Sequence, residues 1–391
     1  MKIFKTFTLI FLCNICAAQQ QKSVGLERWQ RLWGSNWDTP LSYKDFQIEF
    51  QYSSLKGIGY EEGIGRRDPT GIIKVGGLYY IWYTRIESDN RPVGFEKAND
   101  TLRAVTWDLA TIWYATSKDG INWEEQGEAI PLGSKGEFDD RSVFTPDVLV
   151  VNGRYYLFYQ AVSAPYTQIT RNVIAMSWAD SPNGPWNRHP EPILKTGEPG
   201  KWVDRSQVPN PVDFGWPISE KSEWDGHKVH DPTLIVRDGK YMLYYKGQPY
   251  GEGMSSPPDK RRADKYYGLP IAQGVAIADK PEGPYLKSPL NPVIGAGHES
   301  IFWPHGTGVA SLIIQGPEAG TIQYAPDGLN FYIMAHVDNW PVAAGVYREG
   351  NFADIKEKPS KGITWGIFHE VRHEKTRFPY LIRFDAVKRD R

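Results

Sequence analysis

Residues 67–85 read RDPTGIIKVGGLYYIWYTR: an Asp-Pro pair, a short apolar run, a glycine turn and an aromatic run. Two later segments repeat this order, TPDVLVVNGRYYLFYQAV at 145–162 and HDPTLIVRDGKYMLYYKGQ at 230–248. The turn residues between the two runs supply the positive φ that tight β-hairpins require. These turns are Gly76-Gly77, Asn152-Gly153 and Asp238-Gly239. Each segment therefore predicts a β-hairpin.

Each hairpin is followed by two more strand-like runs separated by turns, at 111–130, 172–194 and 274–294. Four strands per unit, repeated at this length, are typical of a β-propeller. A fourth unit begins at Glu299 and continues through TIQYAPDGLNFYIMAHV. A fifth combines AGVYREG, ITWGIFHEV and YLIRFDAV with an early strand near FQIEFQY. We therefore predict an all-β, five-bladed β-propeller over residues 41–391. The polar, proline-rich segment 251–268 predicts a surface loop in the third unit.

The N-terminus reads MKIFKTFTLIFLCNICAAQQQ, with a basic start, an apolar stretch and a small-residue end. This pattern predicts a secretory signal peptide over residues 1–18, cleaved after Ala18. A lipoprotein signal fits less well, because bulky residues precede both cysteines. Both cysteines lie in this segment, so we expect no disulfides after cleavage. No later run is apolar enough to cross a bilayer. We expect a periplasmic or secreted protein without a membrane partner.

Residues 19–40 predict a short helical extension before the propeller. Leu26, Trp29 and Trp33 have helical spacing, Ser23 is a suitable N-cap and Gly34 a suitable stop. One apolar-faced helix must pack against something, either its own blades or a partner subunit.

Composition excludes some classes of partner. Lys+Arg 45 against Asp+Glu 46 gives a formal net charge of -1, so no nucleic-acid partner is expected. The sequence is rich in aromatic residues, with Trp 15, Tyr 22 and Phe 16. Aromatic side chains fill large β cores, and they also stack on sugars. Composition alone favours the first explanation and leaves a carbohydrate ligand open.

The innermost strands of a propeller line one central channel, so residues that begin those strands converge there. We expect Asp68, Asp147 and Asp231 to hold equivalent positions, joined by His298 and Glu299 from the stretch GAGHESIFWPHGTG at 295–308. An acidic residue beside proline can also simply turn the chain into a strand. Several carboxylates around one cavity suit glycoside hydrolysis, in which one group protonates the leaving oxygen and another activates water. They also suit a hard cation.

The Asp-Pro blade starts, the five-bladed pattern and the His-Glu pair resemble glycoside hydrolase family 117. Its members are α-1,3-(3,6-anhydro-L-galactosidases) that act on neoagaro-oligosaccharides from agar. The resemblance implies exo-acting release of 3,6-anhydro-L-galactose with inversion. It makes Asp68 the general base, Asp231 the carboxylate that tunes the acid, and His298 a histidine general acid. Glu299 would assist the acid or bind sugar, and an alternative makes Glu299 the acid itself.

The acid role for His298 has a physical rationale. The unperturbed pKa of histidine is about 6.5, and a neighbouring carboxylate raises it. The family also carries an S-x-A-x-x-R motif in an N-terminal helix exchanged between two subunits. Ser23 to Arg28 match that motif, except that Gly25 replaces the alanine. The resemblance thus implies a homodimer.

Further assignments are weaker. The resemblance implies sugar contacts for Trp107, Thr145 and Gln160, although a core position is as consistent for Trp107. His305 is expected in a structural or substrate-binding role, because no cluster with metal-ligand spacing supports zinc. The metal ligands are unknown, and the chemistry requires no cofactor. The resemblance nevertheless suggests a divalent cation in the central channel.

Two other functions remain open from the sequence. A propeller glycosidase of this architecture could act on an arabinoside, a xyloside or another algal galactan. A carbohydrate-binding propeller without catalysis would keep aromatic contacts but would not need Asp68, Asp231 and the His298–Glu299 pair together.

Overall fold

The computed structural model describes residues 21–32, 44–87, 91–203, 218–220, 222–249, 271–295, 297–316, 318–348, 352–370 and 378–388. The predicted signal peptide at 1–18, the predicted helix stop at Gly34 and the predicted loop at 251–268 lie outside these ranges. Among the described residues, no helix has both the length and the apolar character needed to span a bilayer.

Five sheets surround a central channel, which confirms the predicted five-bladed propeller. Strand β1 (Ile48–Ser54) belongs to the last blade. Blade 1 contains β2 (Ile64–Arg67) and β3 (Ile73–Val75), which both pair with β4 (Leu78–Glu87), and then β5 (Thr111–Ser117) and β6 (Trp123–Ile130). Blade 2 contains β7 (Ser142–Val151), β8 (Arg154–Val162), β9 (Val173–Ala179) and β10 (Asn187–Arg188). A small separate sheet pairs β11 (Lys201–Val203) with β12 (Ile218–Glu220).

Blade 3 contains β13 (Lys228–Arg237), β14 (Lys240–Gln248), β15 (Ala272–Ala278) and β16 (Leu286–Lys287). Blade 4 contains β17 (Ile301–His305), β18 (Gly308–Leu312), β19 (Thr321–Ala325) and β20 (Tyr332–His336). Blade 5 contains β21 (Gly345–Val346), β22 (Trp365–Glu370) and β23 (Tyr380–Lys388), and β1 adds its outer edge. The register runs from Ile48 opposite Lys388 to Ser54 opposite Ile382, so the two ends of the propeller share one sheet.

Aromatic pairs in the second strand of a blade fill the spaces between blades. Successive side chains on a strand point to opposite faces, so each pair serves two interfaces. Phe158 packs between blades 2 and 3, whereas its neighbour Tyr159 packs between blades 1 and 2. In the same way, Tyr244 packs between blades 3 and 4, and Tyr245 packs between blades 2 and 3. All four rings are fully buried, and each burial contributes about 1.5–3 kcal/mol. Core packing therefore explains much of the aromatic content.

One left-handed residue interrupts the innermost chain of every blade. Five non-glycine residues, hereafter the channel ring, have φ between 46 and 53°: Asp68, Thr145, Asp231, Glu299 and Ala343. In blades 2 and 3 the register with the second strand shifts at this point, which marks a β-bulge. Bulges re-aim side chains beside active sites, and strained backbone persists where the surrounding structure enforces it. The ring corrects the expected equivalence of the aspartates, because Thr145 and not Asp147 matches Asp68 and Asp231.

The N-terminal helix α1 (Val24–Leu32) docks on blades 3 and 4 of its own chain. Ser23 is the N-cap as predicted, since its Oγ accepts the Leu26 amide at 3.1 Å, and its hydroxyl also donates to the Pro292 carbonyl at 2.6 Å. A Cβ on Gly25 would lie 2.2 Å from the Val293 carbonyl oxygen, so only glycine permits this approach.

Arg28 makes the polar half of the same contact. Its Nε donates to Glu318 at 2.9 Å, its Nη2 to Gln323 at 2.7 Å and its Nη1 to the Phe331 carbonyl at 2.6 Å. The Glu318 side chain is fully buried, so Arg28 neutralises a carboxylate that water cannot reach.

Candidate active site

The channel ring surrounds a pocket at one level of the central channel. Asp68, Thr145, Asp231, Glu299 and Ala343 all contribute to its wall. Three of the five are carboxylates that the sequence predicted as catalytic. All three have the same left-handed backbone. The fold brings them together although Asp68 and Glu299 are 231 positions apart in the sequence.

Asp68 is buried, with Arg67 on one side and His369 on the other. Arg67 grips it with two nitrogens, Nε to Oδ2 at 2.7 Å and Nη2 to Oδ1 at 3.4 Å. His369 Nδ1 lies 3.2 Å from Oδ1. Burial alone would raise the pKa of Asp68, but Arg67 and His369 outweigh it and hold the pKa well below the ordinary value. Asp68 is therefore a carboxylate at neutral pH, as a group that accepts a proton from water must be.

The left-handed backbone at the ring is anchored by the second strand of the preceding blade. The Asp68 amide donates to His369 Nδ1 of blade 5 at 3.2 Å, and the Thr145 amide donates to Thr84 Oγ1 of blade 1 at 2.7 Å. Thr145 also places its hydroxyl 3.4 Å from Asp68 Oδ2. The expected sugar contact of Thr145 stays a prediction, and the structure adds that Thr145 touches the base candidate.

Asp231 and His298 are joined by a buried lysine. Lys246 Nζ lies 2.6 Å from Asp231 Oδ2 and 3.3 Å from His298 Nε2. His298 Nδ1 is inaccessible to water and lacks a hydrogen-bond partner among the described residues. Asp231 therefore forms an ion pair with Lys246, and His298, whose side chain is 27% exposed, has its Nδ1 shielded from water.

Nearby carboxylates raise the pKa of His298 as expected, but they do not determine its net shift. Burial and then the Lys246 ammonium lower its pKa to about 3, and the opposing effect of Asp231 is smaller. Glu299 Oε1 is 3.8 Å from Nδ1, too far for a hydrogen bond. His298 is consequently neutral at pH 7 in the substrate-free protein.

Glu299 lies between Arg67, which holds Asp68, and His298. Its Oε1 is 3.8 Å from Arg67 Nη2 and 3.8 Å from His298 Nδ1, and the side chain is 14% exposed. Arg67 thus faces both Asp68 and Glu299, and its guanidinium lies over the Trp107 ring at 5.3 Å from the centroid. Asp68 and Glu299, which both lie beside Arg67 Nη2, are the pair that could divide base and acid roles.

Asp147 contributes to the pocket wall, and its predicted sugar contact stays a prediction, but both of its carboxylate oxygens already accept backbone amides. Oδ1 accepts the Gly71 amide of blade 1 at 3.1 Å, and Oδ2 accepts the Leu234 amide of blade 3 at 2.9 Å. Arg348 of blade 5 lies 3.9 Å from Oδ2 and donates to the Leu234 carbonyl at 3.1 Å. Asp147 therefore ties blades 1, 2 and 3 together around the channel axis.

Arg348 closes the channel below the ring. It contributes to the wall of the ring pocket and to the wall of a second cavity lined by Ile235, Trp303 and Tyr347, so its side chain separates the two. Burial lowers the pKa of Arg348, and Asp147 opposes that shift. The pocket at the ring accordingly has a floor.

The donor set at this floor does not fit a divalent cation. Hard cations bind six or more oxygens, with carboxylates prominent among them. Both oxygens of Asp147 already accept backbone amides, and a guanidinium lies beside them. Within the described part of the chain, no three histidine, cysteine or acidic side chains are grouped closely enough to hold a metal ion. Arg348 supplies the positive charge at this point of the channel.

The three other predicted substrate contacts, Trp107, Gln160 and His305, lie in different surroundings. Trp107 is half-buried, donates to the Tyr166 hydroxyl at 3.2 Å and borders Arg67, so a sugar contact there stays a prediction. Gln160 is fully buried opposite Phe144, and its amide has no partner among the described residues. His305 lies on β17 and packs on Phe46, with ring centroids 4.5 Å apart, which favours the structural role expected for it.

Three contributors to the site were missed from the sequence: Arg67, Lys246 and His369. A signal for the last two was present, because in four blades one polar residue directly follows a buried apolar pair on the second strand. These residues are Thr84 after Trp82-Tyr83, Gln160 after Phe158-Tyr159, Lys246 after Tyr244-Tyr245 and His369 after Ile367-Phe368. Three of these side chains, Thr84, Lys246 and His369, contact a residue of the channel ring.

Comparisons with known proteins agree with the geometry. No protein-family model and no curated protein matches the sequence. A family 117 glycoside hydrolase produced by the marine bacterium Zobellia galactanivorans is similar in structure, with 36% sequence identity over 88% of this chain and 92% of that chain and a TM-score of 0.72. A protein solved in an RGII complex has 13% identity over 94% and 96% of the two chains and a TM-score of 0.57. A further glycoside hydrolase has 13% identity over 91% and 94% and a TM-score of 0.53. The last two show the fold alone.

Proposed function

The protein belongs to glycoside hydrolase family 117 and is a glycosidase, and on this premise we propose that it releases 3,6-anhydro-L-galactose from the non-reducing end of neoagarobiose and short neoagaro-oligosaccharides. The observation that carries the proposal is the channel ring, which holds Asp68, Asp231 and Glu299 around one pocket. Glycoside hydrolysis needs two of these carboxylates, and the third can orient the sugar.

The floor of the pocket supports exo action. Arg348 and Asp147 line the ring pocket, and Arg348 also borders the neighbouring cavity, which supports a pocket that is closed at one end. A substrate can then present only its terminal sugar to the carboxylates. Cleavage would remove one residue at a time.

In the proposed reaction, Asp68 takes a proton from water as the oxygen attacks the anomeric carbon. The glycosidic C–O bond breaks, and its oxygen leaves with a proton from the acid. Asp68 suits the base because it remains ionised at neutral pH. One attack without a covalent intermediate inverts the anomeric configuration.

We assign the acid role to Glu299 and not to His298. His298 is neutral at pH 7, its Nδ1 is inaccessible and its Nε2 faces Lys246. Glu299 occupies the ring position of its blade, as Asp68 and Asp231 do, and contributes to the pocket wall. His298 then lies behind the acid.

The activity is tested by incubating the mature protein with neoagarobiose and separating products by chromatography. We expect galactose and 3,6-anhydro-L-galactose, and proton NMR at early times should show inverted anhydrogalactose. Asp68→Asn should remove activity, whereas Asp354→Asn, in a partly exposed loop, should not. Turnover of an arabinoside or xyloside with none of neoagarobiose would overturn the substrate. Binding of sugars without any turnover would show that this protein has lost catalysis.

The acid is tested with two leaving groups. Glu299→Gln should lower kcat on neoagarobiose by about 10²–10⁴-fold, and an aryl glycoside with an activated leaving group should largely restore the rate. His298→Gln should show a smaller loss on neoagarobiose. Rescue of His298→Gln and not of Glu299→Gln by the aryl glycoside would make the histidine the donor.

A further inference from the structure

A second cavity lies on the other side of Arg348 from the catalytic pocket. Its volume is about 150 Å³, and Arg348 contributes to the walls of both. The wall also includes Val236 and Pro304, which follow the ring residues Asp231 and Glu299 by five positions along the innermost chains of blades 3 and 4. No step of the proposed reaction uses this cavity.

Part of the cavity wall comes from residues 352–364, between the first and second strands of blade 5. Backbone hydrogen bonds fix this segment to two other blades. The Ile355 amide donates to the Val236 carbonyl of blade 3 at 3.1 Å, and Ser360 exchanges two hydrogen bonds of 2.9 Å with Gly306 of blade 4. Three blades therefore build the cavity together.

The described part of the cavity wall carries positive charge. Arg348, Lys358 and Lys361 contribute to it, and no acidic residue among the described ones does. Lys358 and Lys361 are exposed, whereas the Arg348 side chain is only 5% exposed. The two lysines therefore lie where the cavity meets solvent, and their charge attracts anions towards a buried guanidinium.

Two buried donors in the cavity wall have no hydrogen-bond partner among the described residues. They are Nε of Arg348 and Nε1 of Trp303. Guanidinium and indole nitrogens donate hydrogen bonds and cannot accept them. Buried donors in proteins nearly always have an acceptor, so this pair fits a ligand that supplies acceptor oxygens.

Asp147 compensates the charge of Arg348 only in part. It lies 3.9 Å from Nη2, and both of its oxygens accept backbone amides. Nη2 donates instead to the Leu234 carbonyl at 3.1 Å. Burial lowers the pKa of Arg348 in spite of Asp147, and buried cations in proteins are normally paired. A second anion beside Arg348 would complete the pairing.

The ligand chemistry that fits these features is an oxyanion. A guanidinium binds the oxygens of sulfate or phosphate through charge-assisted hydrogen bonds, and the remaining oxygens can accept from an indole N–H. We propose that this cavity is a binding site for a tetrahedral oxyanion of the sulfate or phosphate type, held by Arg348 and Trp303. The proposal does not depend on which sugar the protein cleaves.

Binding is measured by isothermal titration calorimetry on the full-length mature protein in a buffer without oxyanions. Sodium sulfate and sodium phosphate are titrated separately at pH 7, and NaCl keeps the ionic strength constant. We expect one oxyanion per chain with a Kd of about 1 mM or below, and the tighter of the two is the preferred ligand. Anomalous diffraction from a crystal soaked in selenate, which has the shape of sulfate, should place selenium in this cavity.

Two substitutions test the buried contacts. Arg348→Met should abolish sulfate binding. Trp303→Phe keeps an aromatic ring but removes the indole N–H, and it should weaken binding by about 10-fold or more. Trp113→Phe is the matched control, because the Trp113 indole donates to Thr111 within blade 1 at 3.0 Å. This variant should bind sulfate as the wild type does.

A second pair of variants tests the charge where the cavity meets solvent. Lys358→Met should weaken sulfate binding by about 2–5-fold, because an exposed charge acts weakly. Lys280 is also exposed but lines a different depression, so Lys280→Met should leave the affinity unchanged.

Heats of dilution alone, with both sulfate and phosphate, would overturn the proposal and leave water as the occupant of the cavity. Selenium found only elsewhere in the crystal would overturn the location. Unchanged affinity in Trp303→Phe would overturn the assigned contacts, and this variant decides if Arg348→Met does not fold. Failure to cleave neoagarobiose would refute the proposed substrate alone, since none of these measurements uses a sugar.

Discussion

Replacement of Asp147 should destabilise the propeller far more than removal of an ordinary surface carboxylate. Its two oxygens accept the Gly71 and Leu234 amides at 3.1 and 2.9 Å, and Arg348 lies 3.9 Å away. Asp147→Asn keeps the size of the side chain but removes the charge and one accepting oxygen. It leaves one buried amide without an acceptor, at about 1–3 kcal/mol. It also leaves a buried guanidinium without its carboxylate. Breaking a buried pair costs about 3–5 kcal/mol in total.

The assay is guanidinium chloride unfolding at pH 7 and 25 °C, followed by tryptophan fluorescence. Asp354 supplies the control, because it too accepts backbone amides but lies in a partly exposed loop. Asp354→Asn should cost about 1 kcal/mol.

A double-mutant cycle identifies the cause. Arg348→Met alone leaves Asp147 charged and buried, so it should also cost about 3–5 kcal/mol. Asp147→Asn with Arg348→Met removes both charges, so the double variant should be about 1–3 kcal/mol more stable than the sum predicts. Additive losses, or a loss below about 1 kcal/mol for Asp147→Asn, would refute the assignment of this pair as the charge-balanced floor of the channel.

Three further predictions concern other parts of the molecule. Gly25→Ala should detach the N-terminal helix, because the added Cβ would lie 2.2 Å from the Val293 carbonyl oxygen. Limited proteolysis should then show earlier cleavage within the helix. Light scattering should show whether a homodimer is lost at the same time. Asp68 has a depressed pKa in the folded protein, so its contribution to stability is present above about pH 4 and is lost as the pH falls. The difference in unfolding free energy between wild type and Asp68→Asn, measured from neutral to acidic pH, should therefore narrow below about pH 4. A constant difference would contradict the shift. Dialysis against EDTA should change neither kcat nor Tm, because Arg348 holds the positive charge at the channel floor; activity restored by an added divalent cation would contradict this.

The blades were predictable because their signals are local. A glycine turn between apolar runs specifies a hairpin, and each blade repeats that pattern. The closure of the fifth blade by β1 was also accessible, because FQIEFQY had no partner nearby in the sequence. Asp68 and Asp231 followed from the same repeat, since an aspartate before proline recurs in blades 1 and 3, whereas Glu299 was found through its pairing with His298.

The errors have specific physical origins. Asp147 was matched to Asp68 by its charge, whereas the prolines at 69, 146 and 232 give the true register and put Thr145 in the ring. Lys246 reaches the site from a second strand; the polar residue after a buried apolar pair was a signal for it, but that repeat was not recognised. The lowered pKa of His298 arises from burial and from Lys246, 52 positions away, so no sequence neighbour could have indicated it. Gly25 looked like a loss of helix propensity, although it permits a close backbone contact.

The pairing of Ile48–Ser54 with Tyr380–Lys388 also affects the order in which the newly synthesised protein can fold. The strand that completes blade 5 is synthesised long before its partner, because β1 precedes all four other blades in the sequence. Closing a loop of that length costs roughly 5 kcal/mol in chain entropy, which the four completed blades must already have reduced by bringing the ends together. Until then β1 and β23 are exposed edges with unpaired backbone groups, the feature that promotes association between chains. The period before the circle closes is therefore when this protein is most prone to aggregate, and deletion of β1 would make that condition permanent.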